Sequence, residues 1–192
     1  TDAALYALLS TGIPPPYWHV VDSLLTGTTS QVRVQGQLTN PWRNHGLAQG
    51  RVMSTAMFNL VINSLVQAIH AACPGVAINS QHSVTTLLYI DDLAIFASSH
   101  ADLQAALDAA HRWAQHWGFA FGTGPDKSAV MVFGPPTSPP PPCYLGPHLL
   151  QYVQSYCYLG IVVSSSLSWA PHVQHMRRRG NTRFCQCVSW CQ

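Results

Sequence analysis

The stretch LLYIDDLAIF, residues 87–96, places two adjacent carboxylates in the middle of an apolar run. The other eight residues are apolar, and most are the branched or aromatic types that fill a buried strand. Burying one unpaired carboxylate costs several kcal/mol, and a second like charge beside it adds to that cost. Because the chain has only 7 acidic residues among 192, this pair calls for a specific explanation.

A turn explains the pair better than a straight strand does. Adjacent strand residues point to opposite faces, so a strand alone cannot bring both carboxylates to one place. We therefore predict that residues 89–93 form the bend of a β-hairpin, with Asp91 and Asp92 at its tip. Paired carboxylates in that position suit Mg²⁺, which takes oxygen ligands and is commonly held by one or two carboxylates plus substrate phosphates. An ordinary turn is the alternative, because Asp is favoured in turns.

The composition is poor in charge. Charged residues make up 8% of the chain, compared with roughly 25% in typical soluble domains. The net charge of +2 gives almost no electrostatic indication of a polyanionic partner. Four of the basic residues nevertheless cluster near the C-terminus: Arg177, Arg178, Arg179 and Arg183.

The sequence predicts an intracellular protein, in the nucleus or the cytoplasm. No apolar run approaches the ~20 residues needed to span a bilayer, so we expect no membrane association. The first twelve residues, TDAALYALLSTG, lack the basic region and the cleavage site of a signal peptide. Six cysteines at irregular spacing, without a secretory signal, are typical of reduced thiols.

Apolar periodicity predicts an α+β fold in which hairpins alternate with packing helices. Helices are expected over residues 2–10, 18–25, 52–69 and 103–117, and from residue 171 onward. Strands are expected over residues 76–78, 84–89, 93–97, 119–121, 129–133 and 156–163, with a further hairpin around residues 35–36. The segment GPPTSPPPP, residues 134–142, is expected to be an extended linker.

Four segments together resemble the reverse transcriptases of non-LTR retrotransposons and group II introns. YIDD, residues 89–92, resembles their YxDD box, and GLAQGRVMSTAMFN, residues 46–59, resembles GxPQGSxxSPxLFN. GFAFGTGPDKSAVMVF, residues 118–133, is similar to GLxxNxxKTxxMxF, and YLGIVVSSSLSWAPHV, residues 158–173, is similar to YLGxxLxxxLxWxxHI. The segments follow the order and the spacing of the family and cover roughly residues 5 to 175.

The resemblance implies a polymerase palm-like antiparallel sheet with packed helices, truncated on its N-terminal side. Residues 1–133 would be a partial palm domain, and residues 134–142 a Pro-rich linker. Residues 143–168 would form a primer-grip-like hairpin, and residues 169–192 the start of a thumb-like helix.

The resemblance also implies an activity, template-directed DNA synthesis by two-metal nucleotidyl transfer with Mg²⁺, or alternatively Mn²⁺. Asp91 would bind the metal directly, Asp92 would support it, and Lys127 would protonate the leaving pyrophosphate. Contacts with the template or the nucleotide would come from four residues: Gln49, Gly50, Asn59 and Tyr89. The primer would be gripped by Tyr158, Leu159 and Gly160. The implied partners are an RNA template, a DNA primer and deoxynucleoside triphosphates.

The sequence departs from the family pattern at several positions. Ala48, Arg51 and Thr55 replace the Pro, Ser and Pro of the second box. The family's further catalytic aspartate lies on a strand upstream of the segment that matches Asp2, so we expect the isolated chain to lack measurable polymerase activity. A longer product could supply that strand and the missing fingers. Template-dependent incorporation that Asp91→Ala abolishes in the isolated chain would overturn this expectation.

Alternative interpretations use the C-terminal cluster or another Mg²⁺ chemistry. A zinc-binding module would draw its ligands from His172, His175, Cys185, Cys187 and Cys191. Their spacing matches no standard structural zinc site. A Mg²⁺-dependent nuclease is compatible with the paired carboxylates alone. A non-catalytic nucleic-acid-binding module using Arg177 to Arg183 would show salt-sensitive binding.

Overall fold

The structure is a computed structural model that describes residues 2–44, 46–47, 52–124, 126–134 and 139–190. Its description of residue 52 and residues 183–190 covers the backbone but not the side chains. The described residues form five helices: α1 (Asp2–Ser10), α2 (Pro15–Leu25), α3 (Val52–Ala72), α4 (His100–Trp117) and α5 (Ala170–Trp190).

Fourteen short strands occur in the described part of the chain. The first eight are β1 (Thr29–Ser30), β2 (Arg33–Val34), β3 (Gln37–Leu38), β4 (Trp42–Arg43), β5 (Val76–Ala77), β6 (Ser83–Val84), β7 (Thr86–Tyr89) and β8 (Asp92–Ile95). The other six are β9 (Ala129–Val130), β10 (Tyr144–Leu145), β11 (His148–Leu149), β12 (Gln151–Tyr152), β13 (Ser155–Tyr158) and β14 (Ile161–Ser164). The mixed helix and strand class predicted from the sequence is confirmed.

The strands pair two by two across the described residues. Six ladders are antiparallel (β1–β4, β2–β3, β5–β6, β7–β8, β10–β11 and β13–β14), and β9 pairs with β12 in parallel. A continuous palm-like sheet therefore stays a prediction. The strand expected at residues 119–121 is wrong, because Phe119 and Phe121 instead pack against the apolar core from an irregular segment.

Helix α3 is the centre of the main core. Its residues Met57, Val61, Leu65 and Ile69 recur every fourth position and are each no more than 4% exposed. Helices α1 and α4 pack against α3. The indole Nε1 of Trp113 in α4 donates a hydrogen bond of 2.8 Å to the Ser64 hydroxyl, which satisfies a polar group inside this interface.

Helix α3 is also long and apolar enough, from Met53 to Ala72, to cross a membrane by length and composition alone. The expectation that no apolar run approaches the length needed to span a bilayer is therefore wrong. The helix is amphipathic: Asn59, Asn63 and Gln67 lie on its exposed side, opposite the buried residues. The core helix of a globular protein meets the same criterion, and α3 packs against α1 and α4.

Local signals fix the ends of α4. The Ser99 hydroxyl accepts a hydrogen bond of 3.1 Å from the backbone N–H of Asp102, so the helix begins three residues earlier than its apolar pattern predicts. Gly118 ends the helix in the left-handed region, with φ of 69°. Between these two ends, α4 packs against α3 and against β10.

A second buried cluster joins α4 to the strands after the Pro-rich segment. It consists of Leu107, Val130, Cys143, Leu145 and Leu150. The carboxamide of Gln104 accepts a hydrogen bond from the backbone N–H of Tyr144 and donates one to its carbonyl oxygen, each at 2.9 Å. Gln104 thereby pairs with the backbone of β10 and holds this strand along α4.

Candidate active site

Asp91 and Asp92 lie where the sequence predicts, at the tip of a β-hairpin. Strand β7 pairs with β8 through four residue pairs, and the last pair joins Tyr89 to Asp92. The connecting turn therefore has two residues, Ile90 and Asp91, while Asp92 is the first residue of β8. We call β7, β8 and their turn the aspartate hairpin.

Alternation along the two strands gives the aspartate hairpin one apolar face and one open face. Leu88 and Leu93, which are paired across the ladder, pack against the main core. Tyr89 and Asp92 consequently project from the opposite face, and both are exposed. The buried face anchors the hairpin, so its polar tip is held at the surface by an apolar base.

The turn itself is strained at Ile90. This residue has φ of 57°, in the left-handed region that favours glycine. A β-branched residue is rare in this region because its side chain clashes with the backbone. Backbone strain of this kind is concentrated at functional sites, where the surrounding structure maintains it. A two-residue hairpin turn needs a positive φ at its first central position, so the strain at Ile90 accompanies the turn that places the aspartates at the tip.

The two aspartates have the chemistry that a hard divalent cation requires. Both residues are exposed, and among the described residues their carboxylates have no hydrogen-bonding or ion-pair partner. Their oxygen lone pairs are thus available to a ligand. Two neighbouring carboxylates at an open tip fit Mg²⁺, which keeps several waters and takes its remaining ligands from a substrate.

Lys127 lies in a closed turn formed by residues 122–124 and 126–128, which we call the lysine turn. The backbone N–H of Lys127 donates to the Gly124 carbonyl oxygen at 2.9 Å, and the Ser128 hydroxyl donates to the Gly122 carbonyl oxygen at 2.6 Å. The alkyl chain of Lys127 packs over Gly122, where an added Cβ would lie 3.1 Å from the lysine Cβ. Lys127 is exposed, and it is the only lysine in the sequence.

A second hairpin, formed by β13 and β14, lies against both of these sites. Its turn consists of Leu159 and Gly160, whose φ angles of 50° and 82° are typical of a two-residue hairpin turn with positive φ at both positions. We call it the tyrosine hairpin, because Tyr156 and Tyr158 occupy one face of β13.

The two tyrosine hydroxyls connect the tyrosine hairpin to the predicted catalytic residues. The Tyr158 hydroxyl lies 3.2 Å from the Asp92 carbonyl oxygen and 3.3 Å from that of Leu87, and it donates its proton between them. The Tyr156 hydroxyl donates to the Lys127 carbonyl oxygen at 2.9 Å. The structure thus brings the aspartate hairpin, the lysine turn and the predicted primer-gripping residues into one site.

The acidic residues of this site act on both tyrosines. Partial burial raises the pKa of Tyr158, and the negative charge of Asp92 raises it further. Partial burial also raises the pKa of Tyr156, with smaller contributions from the charges of Asp92 and Asp126. Asp92 and Asp126, two of the 7 acidic residues of the chain, therefore lie near the tyrosine hairpin, as does the backbone of its single lysine.

Sequence reasoning missed Tyr156 as a member of the site. The family motif begins at Tyr158, and nothing in the local pattern separates Tyr156 from an ordinary strand tyrosine. The available signal is the spacing of two residues, which places both tyrosines on one face of a strand. Their partners lie 29 and 66 residues away in sequence, so only the fold reveals the contacts.

Other predicted site residues are more loosely connected. Gln49 and Gly50 lie outside the described residues. Asn59 lies exposed on α3, and within the described ranges no hydrogen bond joins it to the aspartates or to the tyrosine hairpin. Tyr89 is 61% exposed beside the aspartates, and Leu159 is 48% exposed at the tip of the tyrosine hairpin, next to the exposed Gly160.

The predicted zinc ligands fall mostly beyond what the structure covers. The side chains of Cys185 and Cys187, and all of Cys191, lie outside the description. The Nδ1 atom of His172 accepts a hydrogen bond of 3.3 Å from the backbone N–H of Val162, which ties α5 to β14. The part of the chain with described side chains contains no group of three or more potential metal ligands among His, Cys, Asp and Glu.

A family model described as reverse transcriptase (RNA-dependent DNA polymerase) matches residues 2–163. The chain belongs to the reverse transcriptase family. The resemblance inferred from the four sequence segments is thereby confirmed. The match includes the aspartate hairpin, the lysine turn and the tyrosine hairpin up to residue 163, whereas the predicted zinc ligands lie beyond it.

Curated relatives of this reverse transcriptase chain come from insect retrotransposons. It is 26% identical over 185 residues to the RNA-directed DNA polymerase from mobile element jockey of Drosophila melanogaster, covering 92% of this chain and 19% of the relative. It is also 26% identical over 185 residues to the Pol polyprotein of the type-1 retrotransposable element R2 of Popillia japonica, covering 92% of this chain and 30% of the relative. The chain thus spans less than a third of these relatives.

Proposed function

We propose that this chain is the metal-binding and primer-positioning part of an RNA-directed DNA polymerase from a non-LTR retrotransposon. The observation that carries the proposal is the contact of the Tyr158 hydroxyl with the Asp92 carbonyl oxygen at 3.2 Å. It joins the hairpin that resembles the family's primer grip to the turn that resembles its metal-binding box. The short ladders around this contact would form part of a palm-like sheet.

The metal would be held by Asp91 and Asp92. Divalent cations, Mg²⁺ or Mn²⁺, would align the primer 3′-hydroxyl with the α-phosphate of the nucleotide and neutralise the charge of the leaving pyrophosphate. The carboxylates of the aspartate hairpin are exposed and have no hydrogen-bonding or ion-pair partner in the described part of the chain, which supports this role. Asp91, in the turn itself, would contact the cation directly, and Asp92, fixed by its strand pairing with Tyr89, would support it.

Lys127 would supply a proton to the leaving pyrophosphate. Its ammonium group is a donor on a flexible stem, and its backbone is fixed within the closed lysine turn. Tyr158, Leu159 and Gly160 would position the primer end beside the aspartates. The RNA template and the incoming deoxynucleoside triphosphate would lie against Tyr89, Asn59 and the loop that contains Gln49 and Gly50.

Primer extension by the intact polypeptide that contains these residues tests the proposal. With an RNA template, a labelled DNA primer, deoxynucleoside triphosphates and Mg²⁺, we expect template-complementary extension that Asp91→Asn or Asp92→Asn abolishes. Asp22→Asn is the matched control, because Asp22 is an aspartate of α2 outside the site. Extension that survives substitution of both site aspartates would contradict the proposal.

A further inference from the structure

Tyr156 connects two parts of the site that the chain keeps apart in sequence. Its hydroxyl donates to the Lys127 carbonyl oxygen at 2.9 Å and lies 3.5 Å from the Asp126 carbonyl oxygen. Two residues further along the same strand face, the Tyr158 hydroxyl contacts the backbone of the aspartate hairpin. One strand therefore carries both anchors, one for each group that the proposed reaction uses.

The spacing of these anchors is set by strand geometry. Alternate residues of a strand lie about 7 Å apart, so the two phenol rings project side by side from β13. The strand is itself paired with β14 over four residues, which limits independent movement of the rings. A rigid strand that holds one hydroxyl on Lys127 and the other on Asp92 fixes how far the lysine turn lies from the aspartates.

None of the described residues of the lysine turn belongs to either buried cluster. The aspartate hairpin has its own apolar base in Leu88 and Leu93. Lys127 is exposed, and the turn around it is closed by hydrogen bonds among its own residues. Within the described residues, the Tyr156 hydroxyl is the side-chain donor from outside the turn that reaches Lys127.

We propose that Tyr156 is a positioning residue that holds the lysine turn beside the metal-binding aspartates. Its hydroxyl is engaged by the carbonyl oxygens of the turn, so it acts on Lys127 and not on a substrate. This inference rests on the proposed function, because it assigns a purpose to Lys127 and to the aspartate pair. It adds a residue that precedes the YLG segment, and it links the primer-gripping hairpin to the proton donor through one hydrogen bond.

The single lysine makes this inference directly measurable in the 192-residue chain. Reductive methylation with ¹³C-formaldehyde labels Lys127 and the N-terminal amine, which are resolved by chemical shift, and it keeps the lysine charge. Added Mn²⁺, bound at Asp91 and Asp92, broadens nuclei in proportion to the inverse sixth power of their distance. We expect strong broadening of the Lys127 methyl signal in the wild type and its loss in the Asp91→Asn, Asp92→Asn double variant.

Removal of one hydroxyl provides the decisive comparison. We expect Tyr156→Phe to shift the ratio of docked to undocked lysine turn about fivefold toward the undocked form, the effect of one neutral hydrogen bond. The Lys127 broadening should fall, while Mn²⁺ affinity, measured from water proton relaxation, stays unchanged. Tyr152→Phe removes a tyrosine hydroxyl whose contacts, with the Pro141 carbonyl oxygen at 2.7 Å and Cys143 Sγ at 3.2 Å, lie outside the lysine turn, and it should leave the broadening unchanged.

The outcomes separate this inference from the proposed function. If Mn²⁺ binds through the aspartates but Lys127 is not broadened, or Tyr156→Phe behaves as the wild type does, the positioning role is overturned and the metal site stands. If the double Asn variant binds Mn²⁺ as the wild type does, the metal site is overturned, and the positioning role with it. A fall in the Lys127 broadening in Tyr156→Phe and in the double Asn variant, but not in Tyr152→Phe, supports both.

Discussion

The hydroxyl of Tyr158 lies 3.2 Å from the backbone carbonyl oxygen of Asp92, although 66 residues separate the two in the chain. The contact joins the tyrosine hairpin to the aspartate hairpin through backbone and not through the carboxylate. The Asp92 side chain is therefore left free for a ligand, while its backbone position is fixed from a second direction. This arrangement is the structural basis for interpreting the two hairpins as one site.

Substitution of Tyr158 by Phe tests the energetic value of that contact. The change removes the hydroxyl and leaves the ring, so we expect the free energy of unfolding to fall by about 1 kcal/mol, as for one neutral hydrogen bond. Urea denaturation measures the loss. Tyr17→Phe is the control, because Tyr17 is 65% exposed and its hydroxyl has no partner among the described residues. Equal stability of both variants would show that the contact contributes nothing.

Substitution of Ile90 by Gly should relieve the strain in the aspartate hairpin. A left-handed conformation costs a residue with a Cβ about 1–2 kcal/mol, and glycine adds about 0.5–1 kcal/mol of chain entropy to the unfolded state. We expect a net gain in stability of up to about 1 kcal/mol, visible as a higher melting temperature. Ile78→Gly, at an exposed isoleucine with negative φ, should lower it. A lower melting temperature for both variants would contradict strain at Ile90.

Substitution of Gly75 by Ala should be severely destabilising. Gly75 has φ of 78°, and a Cβ there would lie 2.6 Å from the Thr85 hydroxyl oxygen and would clash with the Val84 carbonyl group. Because the clash involves backbone, we expect a loss above about 3 kcal/mol in the free energy of unfolding. Gly27→Ala has a similar φ of 73° and open space around the added methyl, so it should lose only about 1 kcal/mol. Comparable losses would refute the close approach.

The raised pKa of Tyr152 predicts that the folded state loses stability in alkali. Burial, followed by its hydrogen bond with Cys143, raises the pKa of Tyr152 from 10.0 to about 12. Because the folded state holds this proton more tightly than the unfolded state, the stabilisation is complete below pH 10 and is lost as the pH rises through 12. Urea denaturation of the wild type and of Tyr152→Phe between pH 9 and 12 measures it. The two curves should converge toward pH 12, and a constant difference would contradict the assignment.

The sequence predicts those parts of the fold that depend on neighbouring residues. Two adjacent carboxylates inside an apolar run predict a hairpin, and it forms with the acidic pair at its tip. The expected end of a helix at residue 117 agrees with the end of α4, and apolar periodicity over residues 52–69 agrees with the buried face of α3. In each case, the signal and the structure it specifies lie within a few residues of each other.

The remaining features depend on partners that are distant in sequence. Gln104 holds Tyr144 from 40 residues away, and Tyr156 holds the lysine turn from 29 residues away. Phe119 and Phe121 have the alternation of a strand, but burial against the core takes precedence over strand pairing. Side-chain contacts of this kind depend on how the helices and strands pack, so they cannot be predicted from one amino-acid sequence.

The affinity for Mn²⁺ of the wild type and of the single variants Asp91→Asn and Asp92→Asn tests the central claim most directly. The electron paramagnetic resonance signal of free Mn²⁺ reports binding at each added concentration. We expect each substitution to weaken binding at least about tenfold, because each removes one charged oxygen ligand, whereas Asp108→Asn on α4 leaves it unchanged. Equal affinity in the wild type and in both site variants would contradict the assignment of the aspartate hairpin as the metal site.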